Sequence, residues 1–176
     1  MSSEVRVSHS EMLAKRILDQ YFGQFRKIDN VRPDWLERLE IDRFYPTLGL
    51  AIEFQGDQHY RVVPGMHAGP EDFQKQVTLD SKKIGLVEKQ GYKLFSINLY
   101  DLDRFRVRNL FKTMAEQGRE YASNKGLREE VSKIDRIRWD VEPDERLMRR
   151  TDRLGKMKKN YFTRAKKSWW KRLLGK

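Results

Sequence analysis

The sequence predicts an α/β domain, a central mixed sheet flanked by helices, carrying a basic helical C-terminal extension. Three observations predict it. The periodicity of apolar residues up to about residue 100 reads helix, strand, strand, strand, helix, strand, an order that builds a sheet covered by helices. Residues 39–60, LEIDRFYPTLGLAIEFQGDQHY, set two apolar-rich runs on either side of a short Pro/Gly turn, the pattern of a hairpin. The charge is divided along the chain: residues 1–100 balance 14 Lys and Arg against 14 Asp and Glu, whereas residues 101–176 hold 23 against 12, so the net charge of +11 arises beyond residue 100. The expected division is therefore a core over 1–100 and an extension over 101–176.

Taken in order, Ser8 and Glu11 have the spacing of a capping box, and Met12, Leu13, Ile17, Leu18, Tyr21 and Phe22 form the apolar stripe of the helix that follows. Gly23 ends it. A short strand around Phe25–Val31 and the Arg32-Pro33-Asp34 turn lead into the hairpin. In its first strand, Leu39–Tyr45, alternation puts Leu39, Ile41 and Arg43 on one side and Glu40, Asp42 and Phe44 on the other. The second run, Leu48–Gln55, is almost wholly apolar until Glu53, as in a strand buried on both faces. Pro46, Thr47 and Gly49 reverse the chain and bring Asp42 near Glu53.

After Tyr60 a loop with Pro64, Gly65, Gly69 and Pro70 is long enough to face a substrate. A second helix is expected from about Glu71 to Lys89, with Phe73, Val77, Ile84 and Val87 packed on the sheet. Tyr92–Leu99 reads as a strand that a helical crossover would make parallel to a neighbour. Leu102, Phe105, Leu110, Phe111 and Met114 mark a further amphipathic helix, Lys125–Trp139 another, and Pro143 interrupts the chain before the tail. In the tail Met157, Tyr161, Ala165, Trp169 and Leu173 recur every four residues, which describes a helix with an apolar side and a cationic side.

With no cysteine, disulfides, thiolate nucleophiles and cysteine-ligated zinc drop out together. No apolar stretch approaches ~20 residues and the N-terminus lacks a signal-peptide pattern, so a soluble cytoplasmic, nucleoid-associated protein is expected. Residues 146–176 carry 13 basic residues against the single acid Asp152. Such a segment suits an acidic polymer, nucleic acid ahead of an anionic membrane. The expected phosphate contacts are Arg149, Arg150, Arg153, Lys156, Lys158, Lys159, Arg164, Lys166, Lys167, Lys171 and Arg172. The plainer reading of Trp169 and Trp170 is packing against the core.

A carboxylate inside an apolar strand is costly unless a cation or a donor answers it. Asp42 and Glu53 on adjacent strands offer hard oxygen ligands suited to Mg²⁺, with Mn²⁺ as a substitute. Gln55 shares the strand face of Glu53, and Gly56 permits a sharp exit that returns Gln58 and His59 toward the pair. His59 titrates near neutrality and suits proton transfer. On the second helix Gln76, Asp80 and Lys83 lie on one face and can reach the same cavity. Plainer readings exist: Asp42 as an exposed residue paired with Arg43, Glu11 as a cap only, Asp80 and Lys83 as a solvated pair, His59 as a structural histidine, and His9 and His67 on the surface.

Asp42, ten intervening residues and then Glu53-Phe54-Gln55 resemble the active-site signature of the PD-(D/E)xK nuclease superfamily, with glutamine where lysine is usual. Ser8-x-x-Glu11, Glu40-Ile41-Asp42, IEFQGDQHY and Asp80-x-x-Lys83 are similar to the branch of the very-short-patch-repair and EDxHD homing endonucleases, over roughly residues 8–100. The resemblance implies a restriction-endonuclease-like core over residues 1–100 that hydrolyses DNA phosphodiesters with Mg²⁺. Cutting both strands with one active site usually needs two copies or two events, so a homodimer or a larger nucleoprotein complex is the expected assembly. It implies Asp42 as principal metal ligand, Glu53 as a second, Glu11 as an outer one through water, Asp80 completing the site from the helix, and His59 as the branch's histidine. Gln55 cannot carry a positive charge, so that role must pass to His59 or Lys83. The structural zinc site of the repair enzymes has no cysteine here to build it. A nuclease-like scaffold that binds nucleic acid without cutting it is the alternative.

Overall fold

Local pairing along the chain produces a four-stranded sheet, seen in a computed structural model that describes residues 9–55, 70–98, 102, 104–141 and 144–153. The strands are β1 (Ile28–Val31), β2 (Ile41–Tyr45), β3 (Leu50–Phe54) and β4 (Lys93–Ile97), in that spatial order. β1, β2 and β3 run antiparallel, as short turns require, whereas β4 is parallel to β3 because a helix intervenes. The helices are α1 (His9–Phe22), α2 (Pro70–Lys89), α3 (Arg104–Asn124), α4 (Arg128–Asp135) and α5 (145–153). The α/β class and the mixed, helix-flanked sheet agree with the sequence reading.

The hairpin turn depends on Gly49, whose φ of 63° lies in the left-handed region and whose absent Cβ would stand 2.5 Å from the Tyr121 ring. On one face of the sheet Tyr45, Leu50, Ile52 and Ile97 pack against Ile17, Leu18 and Phe22 of α1 and Phe111 and Met114 of α3. Ile134 of α4 and Met148 of α5 join the same cluster, so the core extends past residue 100. On the other face Phe44 and Ala51 meet Leu36, from a short 3-10 turn at Asp34–Leu36, and Val87 of α2.

Three expectations need correction. Ile84 does not pack on the sheet and is 44% exposed. The side of α2 turned to the sheet carries Asp80, Lys83 and Val87 at i, i+3 and i+7, and Ile84 lies outside that arc. Ile41 joins the cluster of Leu36, Phe44 and Ala51, so the alternation expected along β2 breaks at its first residue. The helix expected over Lys125–Trp139 is shorter: Gly126, at φ 69°, makes a turn before α4 begins at Arg128. Phe73, Val77 and the tail after residue 153 lie outside the side chains and residues described.

Candidate active site at the end of the sheet

Antiparallel pairing sets Arg43 opposite Ile52 and Phe44 opposite Ala51, so the next step of the register sets Asp42 opposite Glu53. Both face the α2 side of the sheet, as Phe44 and Ala51 do. Directly opposed residues on one face bring their Cβ atoms within about 5 Å of each other. Asp42 does not pair with Arg43, as its plainer reading supposed. Alternation sends Arg43 to the other face, where it is 3% exposed. There its Nε and Nη2 donate to the two oxygens of Asp29 at 2.7 and 3.1 Å, and Nη1 donates to Asp19 at 2.7 Å.

Glu53 is only half satisfied. Its Oε2 lies 2.9 Å from the Lys83 ammonium, and both side chains are largely buried. Its Oε1 is buried and has no hydrogen-bond partner among the described residues. Burial, with the Asp42 carboxylate and then Asp80 adding to it, pushes the Glu53 carboxyl up to about 7 against the pull of Lys83. Asp42 is likewise raised, chiefly by burial and further by Glu11, although Oδ2 accepts the Phe54 N–H at 2.7 Å and Lys83 and Lys15 pull the other way.

Gln55 continues the strand with its N–H on Ile97 O at 2.8 Å, and its Nε2 donates to Ser96 Oγ at 3.1 Å. Ser96 is the parallel partner of Glu53 on β4. From α1, Glu11 meets the Lys15 ammonium at 2.8 Å, and that ammonium stands 5.7 Å from the centre of the Phe54 ring. Glu11, Asp42, Glu53, Gln55, Asp80 and Lys83 thus converge on the end of the sheet where β2 begins and β3 and β4 finish. Lys83 is not the solvated partner of Asp80 alone. His59 and Gln58 lie outside the described residues, as does the Gln76 side chain.

Two members of this group escaped the sequence reading. Lys15, only 8% exposed, was detectable as the i+4 neighbour of Glu11 beside the apolar stripe of α1. Ser96 could not be found before the β3–β4 register was known.

Among the described residues no three His, Asp or Glu side chains gather closely enough to hold a metal ion. Two opposed carboxylates with raised protonation, one oxygen of which has no partner among the described residues, nevertheless offer hard oxygen donors of the kind a divalent cation takes. The residues fit a divalent ion shared by Asp42 and Glu53. In α5, Leu147, Met148 and Thr151 turn inward while Arg149, Arg150 and Arg153 are exposed, Arg149 pairing with Glu145 at 2.9 Å. The other cations expected to meet nucleic acid, from Lys156 to Arg172, lie outside the described residues. Among the described residues no helix is long and apolar enough to cross a membrane.

The chain is 38% identical over 85 residues to uncharacterized protein 094L of frog virus 3, covering 48% of this chain and 55% of that protein. It is 29% identical over 113 residues to uncharacterized protein 307L of invertebrate iridescent virus 6, covering 53% and 57%. It is 31% identical over 116 residues to uncharacterized protein 033L of invertebrate iridescent virus 3, covering 58% and 59%. The matches thus span a little over half the length of these relatives. No protein-family model matches the chain, and no solved structure does.

Proposed function

We propose that the chain is a Mg²⁺-dependent endodeoxyribonuclease with a restriction-endonuclease-like core of the PD-(D/E)xK type. The observation that carries this reading is the opposition of Asp42 and Glu53, with Glu53 Oε1 buried and without a partner among the described residues and the Glu53 carboxyl raised to about 7. A buried carboxylate pair is unfavourable for folding, and binding a cation is the function that makes sense of it. Asp42 and Glu53 would hold the ion, with Glu11 reaching it through water and Asp80 completing the site from α2. A divalent ion bound there supplies Lewis acidity toward a phosphoryl oxygen and makes a bound water more acidic.

The chain's own residues supply the rest. Phe54 N–H fixes one oxygen of Asp42 and leaves the other for a ligand. Lys83 takes up part of the negative charge on Glu53 and would, with His59, supply the positive charge missing at Gln55. Gln55, tied to Ser96, orients the strand end instead of carrying charge. In the metal-free protein, Glu53 holds a proton through most of the acidic range. His59, on the chain leaving β3, is the candidate for giving a proton to the leaving oxygen.

A second reading, a nuclease-like module that binds nucleic acid without cutting it, is favoured by Gln55 and by the lack of a three-residue metal cluster among the described residues. Incubation of supercoiled plasmid, nicked duplex and branched DNA with Mg²⁺ or Mn²⁺ separates the two. The nuclease reading expects cleavage by the wild type and a loss of about 10³-fold or more in Asp42→Asn and Glu53→Gln. Equal rates in all three proteins would remove the pair from the chemistry, and no cleavage of any substrate would favour the binding module.

A further inference from the structure

Helices ordinarily collect carboxylates in their first turns, where the dipole is positive, and α3 does the reverse. From Arg104 through Ala115 it carries four cations, Arg104, Arg106, Arg108 and Lys112, and no carboxylate, the first being Glu116. Val107, Phe111 and Met114, on the opposite side of the helix, hold it to the sheet by apolar contacts. Arg106, Asn109, Lys112 and Thr113 are exposed and lie within about a third of the helix circumference at 3.6 residues per turn.

The position of this surface follows from the topology. At the far end of α3, Gly118 lies against Leu48 and Leu50, and the Tyr121 ring lies against Gly49, all at the start of β3. Counting back from Gly118 to Arg106 covers about 18 Å of helix. Counting forward from Leu50 to Gln55 covers about 17 Å of strand. Arg106 is therefore level with the strand end that bears Glu53 and Gln55, and the cationic half of α3 flanks the same end of the sheet as the acidic pair.

We propose that Arg106 and Lys112, with Asn109 and Thr113 between them, form a rail for the phosphate backbone of duplex DNA, leading the strand across the end of the sheet. It is distinct from the basic tail, and in naming DNA as the partner it rests on the nuclease reading. Cations against the helix dipole reinforce its positive potential there, which attracts a polyanion to the site.

The test is fluorescence anisotropy of a labelled 30-base-pair duplex with the full chain in EDTA, across a salt series, so that binding is read without cleavage. Arg106→Ala/Lys112→Ala should weaken binding by about tenfold or more and flatten the slope of log affinity on log salt by about 2. The paired control Arg119→Ala/Lys125→Ala removes equal charge from the last turns of α3 and the turn after it, and should change affinity less than about threefold. Circular dichroism on both variants separates lost contact from lost fold. Unchanged affinity and slope in the first variant, equal losses in the two, or no binding of duplex by the wild type would overturn the proposal. A wild type that cuts no substrate but whose binding depends on Arg106 and Lys112 would retain the rail and reject the nuclease.

Discussion

The ammonium of Lys83 stands 2.9 Å from Oε2 of Glu53, and the Glu53 carboxyl is nonetheless raised to about 7. Burial and the opposed Asp42 outweigh a contact that would by itself lower it. Lys83 therefore does not offset the burial of Glu53 beside a second carboxylate.

The metal-free protein should lose stability as pH rises. Glu53 in the folded chain is raised above its ordinary 4.5, so the folded state binds the proton more tightly than the unfolded one. The resulting stabilisation is fully present below pH about 4.5, declines from there and is gone above about 7, a span on the order of 3 kcal/mol. Urea unfolding in EDTA between pH 5 and 8 should show this fall in the wild type and a smaller one in Glu53→Gln. Parallel profiles for the two proteins would contradict the assignment.

Removing Lys83 should matter most when Glu53 is ionised. Lys83→Met is expected to destabilise the metal-free chain by about 1–3 kcal/mol at pH 8 and by much less at pH 5. In a Glu53→Gln background the pH 8 loss should shrink, because no buried anion is left without its partner. A double-mutant cycle by urea unfolding reads the coupling directly.

Arg43 supports the same strand from its other face. It is almost fully buried and its guanidinium bridges Asp29 of β1 and Asp19 of α1. Arg43→Ala takes the shared cation from Asp29 and Asp19, leaving them only Lys15 and Lys27, and should cost about 3 kcal/mol. Arg43→Lys recovers only part of this, since an ammonium cannot reproduce the fork. A thermal-denaturation midpoint within a degree of wild type in either variant would show that the bridge is not structural.

Gly49→Ala should destabilise by about 2 kcal/mol or more, because it meets both an unfavourable φ and the Tyr121 ring. Tyr121→Ala in the same chain removes the collision but leaves the strain. The combined variant should therefore be more stable than adding the two separate losses predicts.

The part of the site that local chain geometry controls was legible in the sequence. A short turn between two apolar runs forces antiparallel pairing, and that pairing alone sets Asp42 against Glu53. Helical periodicity put Asp80 and Lys83 on one side of α2, although counting apolar residues chose the wrong side at Ile84. There the sheet end needs polar groups, and the helix turns Lys83 inward to Glu53. Lys15 and Ser96 were hidden for a different reason. The burial of Lys15 depends on how α1 crosses Phe54, and the position of Ser96 depends on the register of a parallel pair joined by a crossover. Neither is encoded in the spacing of nearby residues. Long-range packing likewise decides that Phe111, Ile134 and Met148 share a core with α1, which charge counting along the chain could not reveal.

The most direct measurement of the central claim is isothermal titration of the full chain with Mn²⁺ at pH 8, comparing wild type, Asp42→Asn and Glu53→Gln. The account predicts one divalent-ion site in the wild type and affinity weakened by at least about tenfold in each variant, since each removes one of two anionic ligands. Equal binding by all three proteins, or none by the wild type, would contradict it.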